Sequence, residues 1–506
     1  MKNIFKFIIL LAPMILLTGC YDLDQPNPNQ LSEDTFWKTE NHMQLGGIAA
    51  YDGLQSNDMY RALLQVAYSG LSDEGTNEQP FEFNDYVRFR LANTDAFGRR
   101  AWVGNYALIG RAYQVLDRLP EFNLPILEGE MQFLIALGYF NLVGYFGENV
   151  AYVDRIQEGF DRPNTAENGE IYTLMESMLL QAISKLPLSR DIPSTDYGRA
   201  SKGAAQTLLA KIYMQQERYA EAEPLLNAVI NSDQYRLLSD FANNFTETET
   251  INPEAIFVVN FIENGTVANT DVSRRFLIFA LAEENGAFGD LQATNLMLNA
   301  FNAEEVASGS KDYRMDHTIL HPNSSLNYYG LSGETWASLG PNPDLPTGFM
   351  KYSEQDAVAN NTDPITGQFT NRAQEFDGGT DYIVLRYADV LLMYAEVLNN
   401  MGQTAQAVPF VDQVRTRASR PGLLTAYPGA IASQTAFLEQ IKHERILELS
   451  GENWRFFDLK RWGMYNNANQ VNDENFATFT DGKNEVEGIP QSELDINANL
   501  RPNQAN

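Results

Sequence analysis

Nine segments of this 506-residue chain repeat apolar side chains at the spacing of one helix face. Residues three or four apart lie on the same side of an α-helix, so this pattern predicts amphipathic helices. The segments are residues 36–54, 102–119, 130–145, 171–186, 202–216, 220–230, 383–400, 405–418 and 436–449. Because several of the gaps between them are short, neighbouring helices should pack antiparallel as hairpins. The sequence therefore predicts a mainly α fold.

Two of these predicted hairpins repeat each other. Sliding the chain by 185 positions places like residues on one another: Ala210 on Ala395, Ala222 on Ala407 and Pro224 on Pro409. Small side chains where two helices cross let them approach closely, which is typical of tetratricopeptide hairpins. Chance similarity between two amphipathic hairpins is the alternative, and the all-helical prediction does not depend on excluding it.

The N-terminus has the pattern of a bacterial lipoprotein precursor. Lys2 and Lys6 precede an apolar stretch, residues 7–17, which is too short to span a bilayer as a permanent helix. The stretch closes on Leu17-Thr18-Gly19-Cys20, which contains the only cysteine of the chain. We expect cleavage before Cys20 and lipidation of its thiol; an ordinary cleaved signal beside a stray cysteine is the alternative.

These features divide the chain into three predicted parts. They are a signal peptide (1–19), a lipid-anchored tether (20–31) and a folded body (32–506). Within the body, we expect a helical scaffold over about 32–230 and 382–465. Residues 231–381 have few helical windows and one good strand candidate, at 255–261, so they predict an irregular layer that carries function.

Charge and composition narrow the partners. The chain has 36 basic and 66 acidic residues, a formal net charge of −30 that repels phosphate backbones and predicts no nucleic-acid partner. With 44% hydrophobic and 11% aromatic residues, it has the composition of a folded globular protein.

No sequence signature of catalysis is present. The nucleotide-binding, metalloprotease and serine-hydrolase motifs do not occur in a fitting context. His317 and His321 have the spacing of metal ligands on a helix, but Pro322 follows at once, and we expect solvated loop histidines. The predictions are therefore no catalytic residue, no metal, no cofactor and no enzymatic activity.

Charged and aromatic residues are densest near the C-terminus, between residues 441 and 462. On a helix, Arg445 and Glu448 would point toward packed surface, where buried charges need partners. Arg455 and Asp458 are the nearest candidates. We predict that these four form a structural ion-pair network; acid/base chemistry is the alternative reading.

Ligand-binding surfaces commonly combine exposed aromatic rings with polar side chains that form hydrogen bonds. The candidates outside the predicted helices are Tyr86, Phe97, Tyr328, Tyr329 and Trp336, with Asn84, Arg88 and Asn327 as polar companions. Packing in the core is the alternative for each aromatic residue.

The C-terminal cluster resembles a known signature. Glu444-Arg445, Glu448 and residues 455–462 are similar to the C-terminal motif of the SusD/RagB family, outer-membrane nutrient-binding lipoproteins of Bacteroidetes. Further blocks resemble the family in its own order: residues 37–40, 130–147, 198–199, 202–213, 254–257 and 381–396.

The resemblance implies a function as well as a fold. It implies tetratricopeptide-like hairpins with an irregular ligand-binding layer containing little strand, anchored by lipid to the outer membrane and facing the cell exterior. It also implies a non-catalytic protein that binds a glycan or oligosaccharide and delivers it to a SusC-like TonB-dependent transporter. The alternatives are a surface glycan hydrolase and a peptide-binding tetratricopeptide scaffold, and the nutrient itself could be a peptide.

Overall fold

The computed structural model describes residues 35–65, 67–77, 82–90, 92–157, 159, 161–246, 251–262, 291–326, 334, 348–352, 379–465 and 474–503. Cys20, Asn327, Tyr328, Tyr329 and Trp336 lie outside the described residues, so the predictions made for them stand as predictions.

Helices dominate the described residues. Those of seven residues or more are α1 (Glu40–Asp52), α2 (Ala96–Leu116), α3 (Pro125–Phe146), α4 (Glu170–Lys185), α5 (Lys202–Gln215), α6 (Tyr219–Ile230), α7 (Asn295–Ser308), α8 (Tyr387–Asn400), α9 (Thr404–Arg417), α10 (Gln434–Leu449) and α11 (Arg455–Arg461). Shorter α-helical segments are Ala67–Gly70, Glu82–Val87, Arg314–Thr318, Leu423–Ala426 and Gln491–Ile496. Short 3₁₀ turns are Gly53–Gln55, Leu63–Gln65, Leu119–Glu121, Ser189–Asp191, Ser194–Asp196, Ala242–Phe245 and Glu474–Thr478.

Strands are few and short. They are β1 (Gly75–Thr76), β2 (Ala255–Val259), β3 (Gln292–Ala293), β4 (Ile319–Leu320), β5 (Gly348–Phe349) and β6 (Tyr382–Arg386). The described strands form three two-stranded antiparallel sheets that pair β1 with β3, β2 with β6, and β4 with β5. The prediction of a mainly α fold with little strand is confirmed.

The helices pack in chain order. α2 packs against α3, α3 against α4, α4 against α5, and α5 against α6. α6 then packs against α8, the first helix of the next hairpin, and α8 against α9. Between α6 and α8 in the chain, the described helix α7 packs against α10, which itself packs against α8.

The repeat predicted from the sequence is confirmed at the level of helix bounds. α5 and α8 have 14 residues each, and the 185-residue shift that aligns Lys202 with Tyr387 also aligns Gln215 with Asn400. Pro224 in α6 and Pro409 in α9 each lie five residues after the start of their helix. Ala210 and Ala395 are both fully buried, as close helix packing requires.

The structure differs from the sequence prediction in several helix boundaries and in one additional helix. α2 begins at Ala96, before the predicted residue 102, because the Asp95 side chain caps the helix by accepting from Phe97 N at 2.6 Å and Gly98 N at 3.0 Å. Residues 383–386, predicted as helix, belong to β6, where Ile383 pairs with Val258 of β2. α7 lies inside the layer that was predicted to be irregular.

One described helix, α3, is long and apolar enough to cross a membrane by length and composition. However, 83% of its most apolar window is buried within the protein, between α2 and α4. Buried helices of a folded core share this composition, so α3 fits the role of a core helix packed between α2 and α4.

Candidate functional site

The predicted ligand surface begins at the short helix Glu82–Val87, which precedes α2. Asn84 is half-buried; its side-chain amide donates to Asn77 O, and its Oδ1 accepts from Arg90 Nη2 at 2.6 Å. Phe97, in the first turn of α2, is half-buried with its ring centroid 5.2 Å from that of Tyr86. The short helix and the start of α2 therefore bring Phe97 and Tyr86 together.

Tyr86 does not fit its predicted role as a stacking residue. Its side chain is fully buried, and its hydroxyl lies 3.2 Å from both Ala67 O and Tyr145 OH. Burial raises the pKa of Tyr86 well above its ordinary value, so the phenol stays neutral. The ring packs in the core because it fills space beside Tyr145, and it offers no face to a sugar.

Arg88 is the candidate with an unmet hydrogen-bonding need. It is half-buried, and its Nε is buried without a hydrogen-bond partner. Its guanidinium forms no ion pair with any described residue. A buried donor without a partner costs about 1–3 kcal/mol, which an oxygen atom of a ligand could offset.

The four residues of the predicted ion-pair network are all buried. Arg445 donates to Asp458 through Nε at 2.6 Å and Nη2 at 2.9 Å, and to Asp389 at 2.8 Å. Arg455 binds both oxygens of Asp73 at 2.8 Å. Two of the four, Arg445 and Asp458, therefore contact each other directly, and Arg455 is paired elsewhere.

Glu448 lies in a larger set of buried charges, which we call the charged core. Its cations are Arg314, Lys351, Arg386, Arg415, Arg417 and Arg420, and its anions are Glu254, Glu304, Asp312, Glu444, Glu448 and Glu452. Every one of these side chains is at most 3% exposed. The six cations balance the six anions, as buried charge requires.

Arg386 shows how closely these charges are joined. Its guanidinium donates to Glu254 at 2.8 Å, to Glu448 at 2.6 Å and to Glu452 at 2.6 Å. Glu254 precedes β2 and Arg386 ends β6, so this side chain fastens the small sheet to α10. Sequence reasoning missed most of these partners because they lie far apart in the chain.

Electrostatics in the charged core oppose acid/base chemistry. Burial alone would raise the pKa of Glu448, but the guanidinium groups of Arg417, Arg386 and Arg314 hold it well below its ordinary value. The carboxylate stays ionised and buried, so it can neither donate a proton nor reach a substrate. A structural role fits this position.

Known proteins resemble this chain in both sequence and fold. A sequence model of the SusD family matches residues 253–504. SusD-like protein P2 from Formosa agariphila is 26% identical, with 99% of each chain covered. A SusD superfamily protein from Bacteroides vulgatus superposes with a TM-score of 0.77 at 22% identity, covering 93% of this chain and 100% of its own. A structure named as a laminarin-binding SusD-like protein superposes with a TM-score of 0.71 at 24% identity, covering 92% of this chain and 99% of its own.

The chain belongs to the SusD/RagB family.

The SusD match covers the whole charged core and part of the predicted ligand surface. Glu254, Arg386 and Glu448 lie inside residues 253–504, and so do the ligand candidates of residues 327–336. Asn84 and Arg88 lie outside the match.

Two blocks of SusD-like sequence outside the match also have structural roles. Arg199 pairs with the buried Glu130 at 2.9 Å, although burial still raises the pKa of Glu130 to about 7. Gly198 has φ +97°, and a Cβ at this position would lie 2.5 Å from Oδ1 of Asn260. Only glycine fits there without strain.

No group of three metal-ligating side chains occurs among the residues that the structure describes. The predicted solvation of His321 was wrong: it is 1% exposed, and its Nε2 lies 2.7 Å from Oδ1 of Asp316. His317 lies in the short helix Arg314–Thr318, and its Nδ1 is buried without a hydrogen-bond partner. The two histidines therefore have different neighbours and do not form a common site.

Proposed function

We propose that this SusD/RagB protein is a lipid-anchored protein of the outer membrane that binds a glycan at the cell surface and delivers it to a SusC-like TonB-dependent transporter without chemical change. The observation that carries the proposal is similarity over the whole chain, 99% of both sequences, to a SusD-like relative. Solved structures of the same fold are named as laminarin-binding and carbohydrate-binding SusD-like proteins.

The proposed glycan surface joins the described Asn84, Arg88 and Phe97 to the sequence-predicted Asn327, Tyr328, Tyr329 and Trp336. Arg88 would supply charge-assisted hydrogen bonds to hydroxyl oxygens, and the aromatic rings would stack on sugar faces. The buried, unpaired Nε of Arg88 supports this assignment.

The surroundings of two carboxylates in the charged core support a binding role over the hydrolase alternative. A glycosidase needs two carboxyl groups that reach the scissile bond, one of them able to donate a proton. Glu448 and Glu444 of the charged core are at most 1% exposed and are bonded to arginine, so they cannot serve in this role. Delivery without hydrolysis requires binding alone.

Affinity electrophoresis would test glycan binding and catalysis together. The purified chain should be run through native gels containing laminarin, starch, xylan or polygalacturonate, and the same polysaccharides should be assayed for released reducing ends. We expect retardation by at least one polysaccharide with no product. Product release would favour the hydrolase alternative, and retardation by none, with binding of peptides instead, would favour the scaffold alternative.

Calorimetric titration with oligomers of the retarding glycan would then test the surface. Arg88→Ala and Trp336→Ala should each weaken binding by about tenfold, because each removes a polar or stacking contact. Arg155→Ala is a matched control, since this arginine is 66% exposed and pairs only with the adjacent Asp154 among the described residues. Unchanged affinity in Arg88→Ala and Trp336→Ala would remove both from the site.

The proposed anchor and partner have separate tests. Cys20→Ala should abolish fatty-acid labelling and move the protein from the membrane fraction to the soluble fraction. The wild-type protein, extracted in mild detergent, should co-purify with a SusC-like transporter. Labelling that persists in Cys20→Ala would contradict the anchor, and purification without any transporter would contradict the partner.

A further inference from the structure

A cleft among the described residues has a volume of about 780 Å³. Its walls are residues 189–201 before α5, 233–239 after α6, and 251–258, which include most of β2. The described residues of the proposed glycan surface, Asn84, Arg88 and Phe97, do not line it. Ligand sites are commonly 300–1,000 Å³, so the cleft is large enough for an oligosaccharide.

Hydrogen bonds between the three segments fix the walls of the cleft relative to one another. Ser201 Oγ lies 2.8 Å from Tyr235 OH, and Arg236 N donates to Pro253 O at 3.1 Å. Tyr197 OH accepts from Asn252 N at 3.2 Å. Each wall is thus fixed to another wall, so a ligand would meet a preformed site and lose little free energy to ordering.

Arginine is the most frequent charged residue in the lining of the cleft. Three of its lining residues are arginines, Arg190, Arg199 and Arg236, and one, Asp233, is acidic. Carboxylates accompany two of the arginines: Asp191 lies 4.0 Å from Arg190, and Glu130 lies 2.9 Å from Arg199. An anionic group on a ligand could be bound by the guanidinium groups that remain accessible in the cleft.

Two of these arginines have guanidinium groups available to a ligand. Arg236 is exposed, and its guanidinium has no ion-pair or hydrogen-bond partner among the described residues. Arg190 is 63% exposed, and its nearest carboxylate, on Asp191, lies 4.0 Å away. Arg199 is already paired with Glu130 and helps to position the wall. Guanidinium groups bind carboxylates and sulfates through two parallel hydrogen bonds.

The remaining lining gives the site an apolar side. The half-buried Tyr197 packs against Ala255 and Val258, and Ile251 is 52% exposed at the cleft. A ligand with an anionic group and a C–H face matches both sides, whereas a small inorganic anion would use only the arginines.

We propose that this cleft is a second saccharide site, selective for sugars that carry a carboxylate or sulfate group. Arg190 and Arg236 bind the anionic group, and Tyr197 and Ile251 contact the ring. The proposal rests on the proposed function for the saccharide nature of the ligand, and it adds a charge-selective site separate from the Arg88 surface.

Calorimetry with three defined probes tests this: trigalacturonate for carboxylate, galactose 6-sulfate for sulfate, and maltotriose as a neutral sugar. We expect wild type to bind at least one acidic probe, more weakly as salt is added. The Arg190→Ala/Arg236→Ala double variant should bind that probe at least about tenfold more weakly. Arg155→Ala controls for loss of an exposed arginine elsewhere.

Other outcomes would overturn the proposal. These are no binding of either acidic probe by wild type, equal affinity in the double variant, or equal binding of maltotriose at the cleft. If the polysaccharide panel still retards the chain while both acidic probes fail, the second site is refuted and the proposed function stands. If acidic probes bind as predicted but no SusC-like transporter co-purifies, the delivery function fails and the cleft assignment stands.

Discussion

Arginines of the charged core and arginines of the cleft have opposite surroundings. Arg386 is 1% exposed and donates to three carboxylates, whereas Arg236 is exposed and its guanidinium bonds to no described residue. A buried arginine without partners would be very costly, so each arginine of the core pairs with at least one carboxylate, and those carboxylates are not available to a ligand. A solvated arginine bears no such cost and keeps its hydrogen-bonding capacity for a ligand. The environment, and not the residue type, separates a structural role from a binding role.

Arg386→Ala should have the largest effect on this comparison. It would leave Glu254, Glu448 and Glu452 buried with one cation fewer, and we expect a loss of about 3–5 kcal/mol in the free energy of unfolding. Urea denaturation followed by circular dichroism measures it. Arg155→Ala, the exposed control, should change stability by less than about 0.5 kcal/mol. Equal midpoints for the two variants would contradict a structural role for the core.

Gly198→Ala tests whether the cleft is preformed. The new Cβ would lie 2.5 Å from Oδ1 of Asn260, and the backbone φ of +97° disfavours any residue but glycine. We therefore expect the free energy of unfolding to fall by about 1–3 kcal/mol. The control is Gly110→Ala in α2, where a Cβ meets nothing within 4 Å and should stabilise the helix by roughly 0.5–1 kcal/mol. If Gly198→Ala and Gly110→Ala have similar unfolding midpoints, the wall of the cleft adjusts to the new methyl group and is not rigidly preformed.

Glu74→Gln tests a buried carboxylate whose pKa is raised, in contrast to that of Glu448 in the charged core. Burial, then the charge of Asp73, raises the pKa of Glu74 from 4.5 to about 7. Between these values the folded protein holds a proton that the unfolded chain has lost, so wild-type stability should fall as pH rises from about 4.5 to 7. The variant has no carboxyl group to titrate here. Its free energy of unfolding should therefore rise by roughly 1 kcal/mol or more relative to that of wild type between pH 4.5 and 7. Urea midpoints at pH 5 and 8 that stay parallel would contradict it.

The cleft variants should have the smallest effect on folding. Arg190 and Arg236 are exposed and hold no part of the fold through their guanidinium groups, so alanine at both should change stability by less than about 0.5 kcal/mol. Thermal unfolding of the double variant beside wild type measures it. A loss comparable to that of Arg386→Ala would show that these arginines are structural after all.

The sequence was most informative where the physical signal is local. Apolar spacing located all nine predicted helices, and the 185-residue shift aligned both ends of α5 with those of α8. It failed for residues 383–386, because a short apolar run fits a buried strand as well as a helix. The pairing of β6 with β2, more than 120 positions earlier in the chain, decides between them.

Less of the site could be predicted, because it depends on contacts between distant residues. Of the predicted four-residue network, Arg445 and Asp458 are 13 positions apart and contact each other, whereas Arg455 pairs with Asp73. Arg314 joins Glu444 across 130 positions, and no spacing rule finds such a pair. Tyr86 lies outside the helices predicted from the sequence, yet it is buried in the core with its hydroxyl 3.2 Å from Tyr145 OH and Ala67 O.

The central claim is that buried arginine pairs hold this fold while unpaired arginines bind its ligand. Its most direct test is to measure, on Arg88→Ala, both the dissociation constant for the retarding oligosaccharide and the unfolding midpoint. We predict that the dissociation constant rises by about tenfold or more. The free energy of unfolding derived from the midpoint should stay within about 0.5 kcal/mol of wild type. An unchanged dissociation constant, or weaker binding that appears only with a large loss of stability, would contradict the claim.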